Sequence, residues 1–108
     1  DLDENIKNKL ISFNLYIDNN LFLSKINDMN YCYYLASKYQ KVINKKILTN
    51  DELVIIWYIS YQLVNSNVDY TLYDLLPLFG IYLKKRLYNY DFCDMIYDFL
   101  AELNFEIY

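Results

Sequence analysis

Few side chains in this chain of 108 residues have the types and spacing that catalysis requires. Asp91, Asp94 and Asp98 lie three and four positions apart, which places them on neighbouring parts of one helical face. Paired carboxylates could in principle act as a general acid and a general base. These aspartates adjoin a strongly apolar stripe, however, and charged residues beside such a stripe are typical of the solvent side of a helix. We therefore interpret them as a solvated face.

The residue types that are missing exclude most other chemistry. The sequence has no histidine, so it offers neither a histidine base nor a histidine metal ligand. Its single glycine excludes a glycine-rich phosphate-binding loop. Cys32 and Cys93 fit no metal-ligand spacing, and we expect two free thiols in the reducing interior of a cell, with one disulfide as the alternative. We predict a protein that is not an enzyme and that uses no catalytic residue, metal, cofactor or small-molecule substrate.

The charge balance argues for a protein partner and against nucleic acid. Fourteen acidic and ten basic residues give a formal net charge of −4 at pH 7. Nucleic-acid-binding proteins neutralise phosphates with a basic face, whereas the only basic cluster here is Lys84-Lys85-Arg86, which we interpret as solvated. The apolar stretches are shorter than the roughly 20 residues of a membrane span. We therefore predict an intracellular protein, in the cytoplasm or the nucleus, that binds neither nucleic acid nor membrane.

The elements that must position these residues are organised around one segment, Thr49 to Val64, with the sequence TNDELVIIWYISYQLV. Positions 53–61 are apolar or aromatic except for Ser60. A surface helix would carry an apolar stripe of roughly 100° and a polar back, but this segment is apolar on almost every side. We predict a buried central helix over about 49–64, opened by a capping box of Thr49 and Glu52.

Four further helices are expected to pack around the central one in a single all-α domain, 1–108. Apolar residues at helical spacing and polar residues at the ends predict helices over 3–18, 28–44 and 89–103 and one that opens at Thr71. We expect the N-caps of the first two helices to be Asp1 or Asp3, and Asn27 or Asp28.

Proline sets the expectation for the fourth helix. Pro77 lacks an N–H and disfavours helix at the residue before it, so this helix should be short or kinked near Leu76, with a break close to Gly80. Residues 81–88 could then form a short helix or a loop. After the last helix, we expect 105–107 to leave as an extended tail.

The order of these elements resembles the cyclin box. The stretch NKKILTNDELVIIWYISYQL, residues 44–63, is similar to the centre of that fold, where a lysine-rich turn and a Leu-Thr cap precede a buried third helix. The ending FLAELNFEIY resembles the end of the fifth cyclin-box helix. The resemblance implies a five-helix cyclin-box-like bundle that binds and activates a cyclin-dependent-type protein kinase.

Within the cyclin-like group, residues 58–76 look closest to the neuronal activators of a cyclin-dependent kinase. In that family the loop after the third helix reaches the kinase activation segment, and the third and fifth helices receive the kinase's regulatory helix. Typical cyclins anchor that helix with a Lys in the third helix and a Glu in the fifth. This chain has Tyr61 or Gln62 and Ile96 at the corresponding places, which implies a more apolar contact. The implied partner-binding residues are Tyr61, Gln62, Asn65, Asn67, Val68, Tyr70 and Ile96.

Two other functions remain open. A virus-encoded Bcl-2-like interaction protein would also wrap a hydrophobic helix, but the usual Asn-Trp-Gly-Arg motif is missing and Trp57 lies in Ile-Trp-Tyr. A structural subunit, or a cyclin-fold transcription adaptor like the TFIIB core, would expose an apolar patch at its interface. We expect Trp57 to be a core residue, whereas Tyr70, just after a turn, could either pack locally or contact a partner.

Overall fold

A computed structural model of the chain describes residues 2–21, 25–65 and 70–108. These residues contain five α-helices and no β-strand, which confirms the all-helical prediction. The helices are α1 (Glu4–Asn20), α2 (Asn30–Ile43), α3 (Asn50–Val64), α4 (Leu72–Leu83) and α5 (Asn89–Glu102). They pack into a body of 33 × 28 × 26 Å.

Helix α3 is the centre of the bundle, and the other four helices all contact it. The Thr49 hydroxyl accepts a hydrogen bond from the Glu52 N–H at 3.1 Å, and the Glu52 carboxylate accepts one from the Thr49 N–H at 2.8 Å. Eight residues of α3 are buried, all between Leu53 and Tyr61. Each large apolar side chain that is fully buried contributes roughly 1.5–3 kcal/mol. The predicted buried helix and its capping box are therefore confirmed, and burial around α3 is a main source of stability.

Helix α1 packs one face on α3 and ends later than predicted. Its buried face carries Ile6, Leu10, Phe13 and Ile17, at the spacing that the sequence predicted. Asp3 caps its start, with the Asp3 carboxylate accepting a hydrogen bond from the Asn5 N–H at 2.7 Å. The helix continues to Asn20, whose side-chain amide donates to the Tyr16 carbonyl at 2.8 Å. This bond accommodates a residue that we expected to end the helix.

Helix α2 is shorter at both ends than the predicted 28–44. The N-cap position is Met29 and not Asn27 or Asp28. Asp28 still contributes, because its carboxylate accepts a hydrogen bond from the Asn30 N–H at 3.0 Å. At the other end, Asn44 adopts a left-handed φ of 52°, which turns the chain out of the helix.

Helix α4 continues through Pro77 and past Gly80, so the break that we expected close to Gly80 comes after Leu83. Pro77 and Tyr73 are both exposed, so the Tyr73 carbonyl that loses its N–H partner lies on the solvent side of the helix. Gly80 has a different role, because a Cβ there would lie 2.9 Å from the Lys85 carbonyl oxygen. The Lys85 N–H donates to the Gly80 carbonyl at 3.0 Å, and Lys84 takes a left-handed φ of 58°. Glycine therefore lets the chain after α4 fold back on the helix.

The chain after α5 turns instead of extending. Asn104 and Phe105 both have left-handed φ values, 52° and 59°. The chain then returns to α2, where the Tyr31 hydroxyl donates a hydrogen bond to the Ile107 carbonyl. The predicted extended tail over 105–107 is therefore wrong at its first residue.

A buried polar cluster joins α1, α3 and the segment before α2. The Oδ1 atom of Asn14 accepts hydrogen bonds from Trp57 Nε1 at 2.9 Å and from the Ile26 N–H at 2.8 Å. The Asn14 Nδ2 atom donates to the Ile26 carbonyl at 2.8 Å. All three residues are buried, and Trp57 is fully so, which confirms its predicted place in the core. Because buried polar groups are costly when unpaired, the side-chain amide of Asn14 stabilises the fold through its contact with Trp57 and through its contact with Ile26.

Aromatic rings complete the surroundings of Trp57. Its indole stacks on Tyr61, with ring centroids 4.9 Å apart and planes at 12°. Phe13 of α1 and Phe79 of α4 meet it edge-on, at centroid distances of 5.4 and 6.0 Å. Stacked and edge-to-face pairs of this kind add to the free energy of burial, so Trp57 links three helices by packing as well as by its hydrogen bond.

Replacing Asn14 tests the polar cluster. Asn14→Ala would leave the Trp57 indole N–H and both backbone groups of Ile26 unpaired. Each unpaired buried group costs about 1–3 kcal/mol, so we expect the free energy of unfolding to fall by roughly 3 kcal/mol or more. The control is Asn8→Ala, at an exposed position of the same helix, for which we expect a change within about 0.5 kcal/mol. Urea unfolding followed by tryptophan fluorescence measures both variants, and equal values for the two would contradict the role of the cluster.

Candidate partner-binding surface

The residues that the sequence predicted to bind a partner lie in different surroundings. Asn67 and Val68 lie outside the described residues. Tyr61 is only 2 % exposed and stacks on Trp57, so its side chain belongs to the core and would have to leave it to contact a partner. Gln62, in the last turn of α3, is exposed. Of the two alternatives at this end of α3, Tyr61 and Gln62, the exposed one is therefore Gln62.

The remaining three predicted residues are half-buried. The Asn65 side-chain amide donates to the Lys25 carbonyl at 3.4 Å, so it ties the end of α3 to the segment that precedes α2. Tyr70 lies immediately before the Thr71 cap of α4. Ile96 packs against the core from α5. Each of them has part of its surface available to a partner.

The residues considered for chemistry are mostly exposed. Asp91, Asp94 and Asp98 are all exposed, in agreement with a solvated face. The two cysteines are free thiols, as expected: Cys32 is buried and Cys93 is exposed. Burial raises the pKa of the Cys32 thiol to about 12, against a smaller lowering by a hydrogen bond with Ser60. Among residues 2–21, 25–65 and 70–108, no group of three or more Cys, Asp or Glu side chains could hold a metal ion.

A cleft of about 250 Å³ lies between α3 and α5, and we call it the α3–α5 cleft. Its apolar lining comes from Ile55 of α3 and from Met95 and Phe99 of α5. Tyr39 of α2 closes one side, and its ring stacks on Phe99 with centroids 4.2 Å apart. Four carboxylates also line the cleft: Asp51, Glu52, Asp98 and Glu102.

The four carboxylates differ in whether a lysine side chain neutralises their charge. Glu52 accepts a hydrogen bond from Lys45 Nζ at 2.9 Å, and Asp51 pairs with Lys85 Nζ at 2.7 Å. Neither Asp98 nor Glu102 forms an ion pair with a cation in the described part of the chain. The α5 side of the cleft therefore carries uncompensated negative charge.

The pKa of Glu52 reflects its role as cap and ion-pair partner. Burial by itself would raise the pKa of this carboxyl. Hydrogen bonds from the Thr49 backbone, the Lys45 ammonium and the Tyr39 hydroxyl outweigh burial and hold the pKa below its usual value. The pKa of Tyr39 is raised, by burial first and then by its hydrogen bond to the Glu52 carboxylate. Glu52 is thus ionised and fixed in place at the edge of the cleft.

An apolar cleft with acidic residues along it suits one kind of ligand. An amphipathic helix can lay its apolar face on such a groove, and basic residues beside that face would meet Asp98 and Glu102. Sequence analysis missed this combination because it treated Asp98 as solvated and Glu52 as a cap. Asp98 lies three positions after Met95, and Glu102 lies three positions after Phe99, which was the available indication.

Comparisons with known proteins give no relative on which to base an assignment. No protein-family model, no curated protein and no solved structure matches this chain. Within the described residues, no helix is both long and apolar enough to cross a membrane.

The pH dependence of stability tests the state of Glu52. Since its pKa is lower in the folded chain than the usual 4.5, the unfolded chain binds a proton first as the pH falls. We expect the wild type to be more stable than Glu52→Gln at pH 7. The difference should be complete above about pH 4.5 and should decrease as the pH falls below that value. Chemical unfolding from pH 7 to pH 3 measures this, with the exposed Glu106→Gln as control; a difference that is independent of pH would contradict it.

Thiol labelling tests the burial of the two cysteines. With a maleimide at neutral pH, we expect one adduct on the native protein, at the exposed Cys93, and two adducts in concentrated urea. Cys32 should resist because it is buried and because its raised pKa leaves almost no thiolate. Mass spectrometry counts the adducts, and rapid double labelling of the native protein would show that α2 is not packed as described.

Proposed function

We propose that this protein is a cyclin-like regulatory module that binds and activates a cyclin-dependent-type protein kinase. The α3–α5 cleft is the observation that carries the proposal. The sequence resembles a family whose third and fifth helices receive the kinase's regulatory helix, and here the third and fifth helices leave an open cleft between them. Its lining fits a helical ligand better than a small polar substrate.

The local structure of residues 44–63 supports the same proposal. Helix α2 ends just before a turn that contains Lys45 and Lys46, and Thr49 caps a helix that is buried on almost every side. This is the order of features that the resemblance to the cyclin box implied. The central position of α3, in contact with the four other helices, agrees with it as well.

The chemistry of the cleft defines the contact that we propose. The apolar face of the kinase helix would lie on Met95, which is half-buried, above the buried side chains of Ile55 and Phe99, and cations on that helix would approach Asp98 and Glu102. Ile96 lies beside this contact on α5, while Gln62 and Asn65 lead into the second contact, with the kinase activation segment. Asn67, Val68 and Tyr70 belong to that second contact.

Activation would follow from differential binding. A module that binds the active arrangement of the kinase more tightly than the inactive one shifts the population toward the active state. To raise an active fraction from about 1 % to about 50 %, the preference must be about 100-fold, or about 2.7 kcal/mol.

Charge reversal in the cleft tests the proposal. We would titrate the protein into purified cyclin-dependent-type kinases that lack their own cyclin, and measure both binding and phosphorylation of a peptide substrate. At least one kinase should be bound and stimulated. The double variant Asp98→Lys, Glu102→Lys should weaken binding about tenfold, whereas Asp94→Lys, an exposed position of α5 outside the cleft, should not. If no kinase in the set is bound or stimulated, the proposal is wrong.

The loop after α3 is tested separately. Tyr70→Ala and Val68→Ala should each weaken kinase binding, because both remove apolar side-chain atoms from the proposed contact. Binding to the same kinase is measured by isothermal titration or by anisotropy. If both variants bind with unchanged affinity, this loop is not part of the interface and the α3–α5 cleft alone carries the contact.

A further inference from the structure

A second cleft, of about 430 Å³, lies on α4 and the chain that follows it, and we call it the α4 cleft. Tyr73, Pro77 and Ile81 line it at spacings of four, so they share one face of the helix. The stripe from Tyr73 to Ile81 is about 12 Å long at 1.5 Å per residue. Tyr73 is 73 % exposed and Ile81 is 67 % exposed. Exposed apolar residues that are grouped on one helical face are one feature of protein-binding sites.

The same cleft has a basic end. Lys84, Lys85 and Arg86 line it together with the apolar stripe. Lys85 is paired with Asp51, and Arg86 Nη1 donates to the Tyr88 hydroxyl at 3.3 Å. Neither Lys84 nor Arg86 forms an ion pair with a carboxylate in the parts of the chain that the structure describes. Two uncompensated cations thus stand beside an apolar stripe, in a chain whose net charge is negative.

The backbone is arranged to hold the cations there. The chain after α4 can fold back only because residue 80 is glycine, since any Cβ would meet the Lys85 carbonyl at 2.9 Å. The left-handed conformation of Lys84 and the bond from the Lys85 N–H to the Gly80 carbonyl complete the turn. The basic residues therefore lie against the helix at a defined place.

Pro77 is a second, independent indication. A proline inside a helix is destabilising, because it removes a hydrogen bond and crowds the preceding turn. Its ring is exposed and fills no part of the core, so nothing in the packing offsets this cost. What the ring does supply is apolar surface in the middle of the stripe. Local costs that bring no gain in stability are expected at functional sites.

From these observations we propose that the α4 cleft binds an amphipathic peptide segment of a partner protein, with apolar side chains on the Tyr73–Ile81 stripe and acidic residues at the Lys84–Arg86 end. The charge at that end selects the acidic residues. The α3–α5 cleft has the opposite charge, so the segment that fits one cleft is disfavoured by the other. The α4 cleft is therefore a second docking site, separate from the proposed kinase contact.

The test uses two synthetic helical peptides and the full chain. Both peptides carry two leucines four positions apart in an alanine background, followed by three glutamates in one peptide and three glutamines in the other, so that neither carries the cations proposed for the α3–α5 cleft. Fluorescence anisotropy should show that the glutamate peptide binds at least about tenfold more tightly. Its affinity should fall about tenfold in Ile81→Asp and in the double variant Lys84→Glu, Arg86→Glu.

Matched controls and alternative outcomes make the test decisive. Ile47→Asp, Lys9→Glu and Asp94→Lys change exposed residues outside both clefts and should leave the affinity unchanged. Equal affinity for the two peptides, or no loss in the α4 variants, would overturn the inference. Sedimentation could also overturn the inference, by showing a concentration-dependent dimer that Ile81→Asp abolishes and that the glutamate peptide does not dissociate. The occupant of the α4 cleft would then be a second copy of the chain.

Discussion

The hydrogen bond between Asn14 and Trp57 is the interaction on which the orientation of the bundle depends. Apolar burial is not directional, so a helix that is apolar on nearly every side, as α3 is, gains almost the same burial in many rotational settings. The Trp57 indole N–H is a directional group in that helix, and it is satisfied only when it meets Asn14 Oδ1. The same amide binds both backbone groups of Ile26. One side chain therefore sets how α1, α3 and the approach to α2 are arranged.

The two clefts follow from that arrangement. With the rotation of α3 set by Trp57, Glu52 and Ile55 face α5 and line the α3–α5 cleft. Asp51 lies in this cleft but pairs with Lys85, which lines the α4 cleft. The ion pair thus connects an acidic surface with a basic one. The two surfaces of opposite charge are the two docking sites that we propose.

Periodicity and capping predicted the helices well, because both depend on residues that are close in the sequence. What the sequence did not predict depends on distant neighbours. Whether Pro77 ends the helix depends on whether the side of the helix that carries the proline faces water. Tyr61 or Gln62 was expected at a partner interface, and a helix without a polar back gives no indication of which of the two faces inward. Asn14 looks like an ordinary mid-helix polar residue until its distant partners are known.

Hydrogen exchange at the Trp57 indole N–H tests the central role of the Asn14 bond most directly. Trp57 is the only tryptophan of the chain, so its indole gives a single assignable NMR signal. If the bond orients the whole bundle, it opens only when the protein unfolds globally. The exchange of this proton and of the Ile26 amide should then report the same opening free energy as chemical unfolding. Exchange with a much smaller opening free energy would show that α1 and α3 separate locally, and would contradict the account.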